Sequence, residues 1–313
     1  MTQSKLENTN AKPKKSLLAE MAKYKTIYLM LLPAVLLYIT FCYIPMFGVA
    51  IAFQDFKVSR GVFGSEFVGF ANFISFFKSY NFWQLLKNTL SISVLQIVLG
   101  FPAPIILALM LNEVKKLKFK KAVQTITYMP HFISTVVVTS MILDFVSSEG
   151  LINTVRESLG LDTILFMLDP KYFQMIYVLS GIWQGIGWAS IIYISALSSI
   201  DQELYEAATI DGAGRWKQML HVTLPGIVPT ITIMLIMQLG HLMSVGYDKI
   251  ILMYNESIYE TADVISTFVY RRGLMRGDYS YSTAVGLFNS VINLILLLAS
   301  NSLSKKLTGS GLW

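Results

Sequence analysis

The chain carries little of the chemistry that catalysis uses. Its three histidines, His131, His221 and His241, lie too far apart to form a ligand motif, and its one cysteine, Cys42, excludes an internal disulfide and a cysteine-based zinc cage. No G-x-x-x-x-G-K-[ST] phosphate loop occurs, and no one segment carries a catalytic constellation of His with Ser, Cys or a carboxylate pair. The informative stretch runs from Asp201 to Trp216. Asp201 can cap a short helix, and Glu203 suits its positive first turn. Leu204, Ala207 and Ala208 share one face at i, i+3, i+4 spacing, and two alanines leave that face nearly flat, open to the close approach of another protein. Gly212 and Gly214 then let the chain turn sharply. The chemistry on offer is contact, not reaction. Two further groupings place amides beside aromatic rings: Gln184 with Trp188 at i, i+4, with Gly185 between them, and Gln238 with His241 at i, i+3.

The elements that must position these residues are membrane helices. Of the 313 residues, 54% are hydrophobic and 14% charged, against roughly 25% charged in a soluble domain. With a mean hydropathy of +0.56, the net charge of +6 decorates an oily chain, which argues against nucleic-acid binding. Six stretches lack Asp, Glu, Lys and Arg: 27–53, 88–112, 122–143, 172–200, 222–247 and 279–304. Each is long enough to cross the hydrocarbon once, which takes about 20 residues. Six transmembrane helices are therefore predicted. With the N-terminus inside, 15 of the 25 basic residues fall on the cytoplasmic side, five of them between Lys115 and Lys121. This places both termini in the cytoplasm, with tails at 1–26 and 305–313. A signal peptide ending near Ala50-Ile51-Ala52 is rejected, because the apolar run before it is too long and carries Pro33 and Pro45. The many prolines and glycines of the runs, among them Pro102, Pro130, Pro225, Gly181 and Gly187, point either to ordinary kinks or to a bundle that flexes.

Taken in order, Glu206-Ala207-Ala208, Asp211-Gly212-Ala213 and, after a fixed interval, Leu224-Pro225 resemble the EAA loop of permease subunits in bacterial ATP-binding-cassette (ABC) importers. Within that group the chain is similar to the carbohydrate-uptake family, in the branch that includes permeases for oligosaccharides from complex polysaccharides. Phe67 to Phe73, Asn88-Thr89-Leu90, Tyr128-Met129-Pro130 and Gly309 to Trp313 carry the likeness over roughly residues 25 to 313. The resemblance implies an all-α, six-helix type I importer fold in the cytoplasmic membrane, with a coupling loop at 201–225. It implies a second permease, two ATPase subunits that hold the ATP and magnesium, an extracytoplasmic binding protein and a saccharide substrate; the chain itself carries no cofactor and is no enzyme. Glu206 would anchor the loop to a basic group of the ATPase, Ala207, Ala208 and Gly212 would give close packing, and Asp211 with Ala213 would complete the turn.

The same resemblance places substrate contacts on the fourth and fifth helices, where Gln184, Gly185, Trp188, Gln238 and His241 are the candidates. Amides bond sugar hydroxyls and rings stack on sugar faces; bonding between helices is the alternative for each residue. Asn289 and Asn293 read as helix glue. Arg271, Arg272 and Arg276 form a charge cluster, either solvated or facing a binding protein or an acidic sugar. The aromatics from Phe53 to Trp83 suggest a segment lying along the outer membrane surface. Two other classes compete: an ion-driven carrier working alone, which would usually keep ionisable groups at mid-membrane, whereas the acid noted here, Asp144, stands at the outer end of the third helix, and a scaffold that docks an ATPase without moving solute.

Overall fold

The computed structural model describes residues 23–309 together with 311 and 312. The expected tail at 1–26 falls outside them up to residue 22, as do Ser310 and Trp313. Contacts divide the chain into a unit ending at Ala50 and a unit beginning at Ile51. The first unit holds most of α1 (Lys25–Phe53), an apolar helix long enough to span.

In the second unit a two-stranded ribbon, β1 (Gln54–Asp55) and β2 (Glu66–Phe67), leads to α2 (Ala71–Phe77). Then follow α3 (Phe82–Glu113), the bent pair α4 (Leu117–Phe132) and α5 (Thr135–Phe145), and α6 (Leu151–Ser158). Next come α7 (Pro170–Ser198), α8 (Gln202–Ile210), α9 (Arg215–Gly240), α10 (Tyr247–Met253), α11 (Ile265–Val269) and α12 (Tyr279–Thr308). Five described helices, α1, α3, α7, α9 and α12, are long and apolar enough to cross a membrane, and the α4–α5 pair makes six if it is one broken span.

The prolines have a regular local effect. Pro45, Pro102 and Pro225 each follow a π-turn, at Ile39–Tyr43, Gln96–Gly100 and Met219–Thr223. A proline ring clashes with the carbonyl four residues before it and offers that carbonyl no N–H. In all three places that carbonyl lies inside the wider turn, so the helix swells around the proline and continues.

The run at 122–143, expected as one span, departs from that pattern: α4 and α5 meet at 102°. After Met129-Pro130 the chain tightens into a 3-10 turn and Ile133 becomes extended. Ser134 then restarts the helix, its hydroxyl accepting from the Val137 N–H at 3.4 Å. The run contains its own stop and its own start. In hydrocarbon a freed carbonyl needs another donor, and Gln184 of α7 supplies one, its Nε2 donating to the Ile133 carbonyl at 3.3 Å. Gly187 seats the bend on α7, because a Cβ there would lie 2.1 Å from the Thr127 carbonyl oxygen. Backbones approach this closely only where the side chain is absent.

Three buried clusters tie the second unit together. One, at the end that carries residues 201–225, joins Ile105, Ala108, Tyr193, Leu197, Ile200 and Ile227, with Tyr205 and Leu224 against it. A second gathers Ile92, Phe173, Tyr177, Ile250, Ile258 and Val264. The third joins Phe76, Phe82, Leu85, Phe268, Tyr281 and Val285. The aromatic segment expected along the membrane surface is thus partly core: Phe76 is buried and meets Phe82, Tyr281 and Phe288 edge to face. Phe63, Tyr80 and Trp83 of the same stretch stay exposed. Phe76 is turned inward because α2 lies against α12, whereas Phe63, Tyr80 and Trp83 lie outside α2.

Candidate functional site

Two regions hold the candidate residues. The first is the elbow formed by α8 and the turn into α9. Asp201 caps α8, its carboxylate accepting from the Glu203 N–H at 3.0 Å. The helix ends in a complete Schellman stop: Gly212 takes a φ of +76°, its N–H donates to Thr209 O at 3.0 Å, and the Ala213 N–H donates to Ala208 O at 2.9 Å. The turn is therefore fixed by backbone and by Gly212, while the Asp211 carboxylate bonds nothing among the described residues. Side chains then fasten the elbow to α9. The Tyr205 hydroxyl meets Thr223 Oγ1 at 3.0 Å, and Gln218 Nε2 donates to Thr209 Oγ1 at 2.9 Å and to Ala213 O at 3.0 Å.

What this rigid frame presents is unsatisfied. Glu206, Ala207, Asp211 and Gly212 are exposed, Ala208 and Ala213 half-buried, and Glu206 has no ion-pair partner among the described residues. Leu204, Ile210 and Trp216 are 53%, 87% and 75% exposed. Ile210 continues the Leu204–Ala207 row one step further; the small face at Ala207 and Ala208 does not by itself point to it or to Trp216, which lies beyond the helix. Large apolar groups thus stand bare beside the flat alanine face.

The second region lies along α7. Gly185 and Gln238 line one cavity of about 300 Å³, with Gln96, Gly181, Tyr193 and Met234. Gln184 and Gly185 line another of about 490 Å³ at the α4–α5 bend, with His131 and Ser134. Gly181 and Gly185 belong to both walls. Trp188 stacks on His131 with ring centroids 4.6 Å apart and planes 4° from parallel, a contact the sequence spacing did not show. His241 lines neither cavity; it caps α9, its N–H donating to Gln238 O at 3.1 Å. The five candidates therefore divide: Gly185 with Gln238 at the first cavity, Gln184 at the second, Trp188 on His131, and His241 apart. Asn293 acts between helices, accepting from the Met243 N–H at 2.9 Å and donating to Ser244 Oγ at 2.8 Å.

Lys249, on the connection between α9 and α12, was not singled out from sequence. Its Nζ donates to Tyr177 O at 3.0 Å and lies 5.0 Å from the centroid of the Tyr177 ring. Burial pushes its ammonium down to about 8. On the same connection, the arginine cluster is mostly internal. Arg271 pairs with Asp263 at 2.6 Å, and Arg272 with Asp278 at 2.9 Å while lying 3.9 Å over the Tyr281 ring. Asn88 Nδ2 donates to Glu260 O and to Asp263 O, both at 2.9 Å, and Thr89 Oγ1 accepts from the Ile265 N–H at 3.1 Å. The Asn88-Thr89 signature thus pins this connection to α3.

The chain matches known proteins along most of its length. Residues 100–309 match the family described as binding-protein-dependent transport system inner membrane component. The polygalacturonan/rhamnogalacturonan transport system permease protein YteP of Bacillus subtilis (strain 168) is 43% identical over 301 residues, covering 96% of this chain and 94% of the relative. Protein LplB of the same organism is 43% identical over 299 residues, covering 95% and 94%. Among solved structures, a chain of a bacterial alginate ABC transporter, in complex with an alginate pentasaccharide-bound periplasmic protein, superposes with a TM-score of 0.88 at 42% identity. That match covers 95% of this chain and 99% of the other. With the apolar helices, the EAA pattern and the elbow it builds, these matches show that the chain belongs to the family of binding-protein-dependent transport system inner membrane components.

Proposed function

We propose that this chain is the permease half of an ATP-driven importer that moves an oligosaccharide, drawn from an acidic polysaccharide, across the cytoplasmic membrane. The observation that carries the coupling role is the elbow: a backbone-locked turn, tied to the start of a spanning helix, that leaves Glu206, Ala207, Leu204 and Ile210 uncovered. A rigid lever needs this combination, because force applied to a loose loop dissipates in the loop. The elbow docks on a separate ATPase, present in two copies with its ATP and magnesium; Glu206 meets a basic group there, and Ala207, Ala208 and Gly212 admit close packing. Closure of the ATPase pair then moves α9 through the Tyr205–Thr223 and Gln218 ties.

A second permease completes the pathway, and an extracytoplasmic binding protein delivers the sugar. Both termini lie in the cytoplasm. The saccharide class is supported by relatives named for polygalacturonan/rhamnogalacturonan and alginate. In the cavities along α7, Gln184, Gly185 and Gln238 offer amides and open space, and Trp188 an exposed ring.

The test is reconstitution. The assembled complex in proteoliposomes is expected to take up labelled oligosaccharide only with ATP and binding protein, and Glu206→Lys should abolish uptake and ATPase co-purification while the variant still inserts in the membrane. Flux that ignores ATP and follows an ion gradient would support a secondary carrier and overturn the proposal. So would an intact complex that hydrolyses ATP without moving any solute.

A further inference from the structure

We propose that Lys249 is an anion-reading group of the solute pathway, which pairs with a uronate carboxylate as the oligosaccharide passes. The assignment rests on the saccharide reading above and names the side chain that would give it charge specificity.

Three observations carry it. Lys249 is a half-buried cation with no carboxylate partner among the described residues, whereas the half-buried Arg271 and Arg272 of the same connection are both ion-paired. A cation taken out of water without a counter-charge is unfavourable and is retained where something else supplies the charge. Its ammonium is also under-bonded. Of three N–H donors, one goes to Tyr177 O, and no second acceptor is present among the described residues.

The third observation is the glycine window. A Cβ on Gly181 would have Lys249 Nζ at 3.6 Å and no other atom within 4 Å. Gly181 belongs to the walls of both cavities. The residue between the ammonium and the cavities is thus the one type that leaves the ammonium uncovered. The Tyr177 ring and carbonyl hold the lysine in place, while Gln96 and Gln238 supply neutral donors to the same cavity for hydroxyl groups. A carboxylate brought to Gly181 would find the free N–H bonds of Lys249 across it, a charge-assisted contact that a neutral sugar cannot make.

The experiment uses the whole complex, permease pair, ATPase and binding protein, in proteoliposomes with trigalacturonate as probe. Lys249→Met is expected to lower ATP-driven uptake about tenfold or more, the loss of one charge-assisted hydrogen bond. Lys249→Arg should stay close to wild type, and binding-protein-stimulated ATP hydrolysis without sugar should be unchanged in both. Gly181→Ala, which fits sterically but covers the ammonium, should lower uptake in the wild-type background and change nothing on top of Lys249→Met. Undiminished uptake by Lys249→Met overturns the assignment. Equal losses of uptake and basal ATP hydrolysis in the Met and Arg variants do so too, since they reveal a purely structural lysine. A wild-type complex that moves no oligosaccharide, charged or neutral, overturns the saccharide reading itself and this assignment with it.

Discussion

The two ends of the second unit treat their polar and charged side chains in opposite ways. On the α9–α12 connection, Lys249 apart, a cluster of them is satisfied internally: Asp263 holds Arg271, Asn88 holds two carbonyls of the connection, and Thr89 holds a third backbone group. In the elbow the frame is made largely by backbone, Gln218 and Tyr205, while Glu206 and Asp211 are left without partners among the described residues. The first arrangement completes a fold from its own groups. The second builds a fixed shape whose outward carboxylates have no partner among the described residues. A paired cluster at one end and unpaired carboxylates at the other distinguish the two regions more sharply than exposure alone, because membrane proteins expose apolar side chains over most of their area.

The comparison breaks first at Gly212. Its positive φ disfavours any side chain, most of all a β-branched one, yet among the described residues nothing lies within 4 Å of where a Cβ would stand. Gly212→Val should therefore abolish ATP-driven uptake by unseating the stop, with membrane insertion intact. Gly212→Asn sharpens the point, since asparagine tolerates the left-handed conformation. If the turn alone matters, the Asn variant transports; if an ATPase must lie against this position, it fails as well. At the opposite end, Arg271→Ala leaves the Asp263 carboxylate buried without its partner. It should lower stability by about 3 to 5 kcal/mol, read as a fall in the melting temperature of the detergent-solubilised chain. Its ATPase co-purification should remain, because the damage is remote from the elbow. Asn88→Ala, which orphans two carbonyls of the same connection, should cost about 2 kcal/mol by the same measurement.

How legible this was in sequence depends on the range of the interactions. The elbow is local: the cap at Asp201, the stop at Gly212 and the small face at Ala207 and Ala208 sit within a few residues of one another, so pattern reveals them. The spans are legible because absence of charge is itself the signal. The bend between α4 and α5 escaped although Pro130 and Ser134 both signal it, because an uncharged run of span length outweighed two local breakers. The internal ion pairs and Lys249 escaped for another reason. Whether Arg271 faces water or Asp263, and whether Lys249 faces Gly181, depends on how helices distant in sequence pack, which no spacing encodes. The five pathway candidates share that weakness: periodicity gave each a face, but only packing assigns Gln184 to the Ile133 carbonyl and His241 to a helix end.

The smallest expected effect tests the frame of the elbow and not its surface. Gln218 bridges Thr209 on α8 to Ala213 in the turn, so one side chain holds the two halves of the lever at a set angle. Gln218→Ala removes both bonds and exposes no new charge, at about 1 kcal/mol for each neutral hydrogen bond lost. Glu206, proposed to dock, stays in place, so ATPase co-purification should be nearly unchanged. Transmission is another matter: a lever that yields at its joint lets the ATPase cycle without moving α9. The expected signature is a several-fold fall in sugar moved per ATP hydrolysed, with hydrolysis itself maintained. Loss of uptake and co-purification together would mean that Gln218 shapes the docking surface and that the frame and the surface are one.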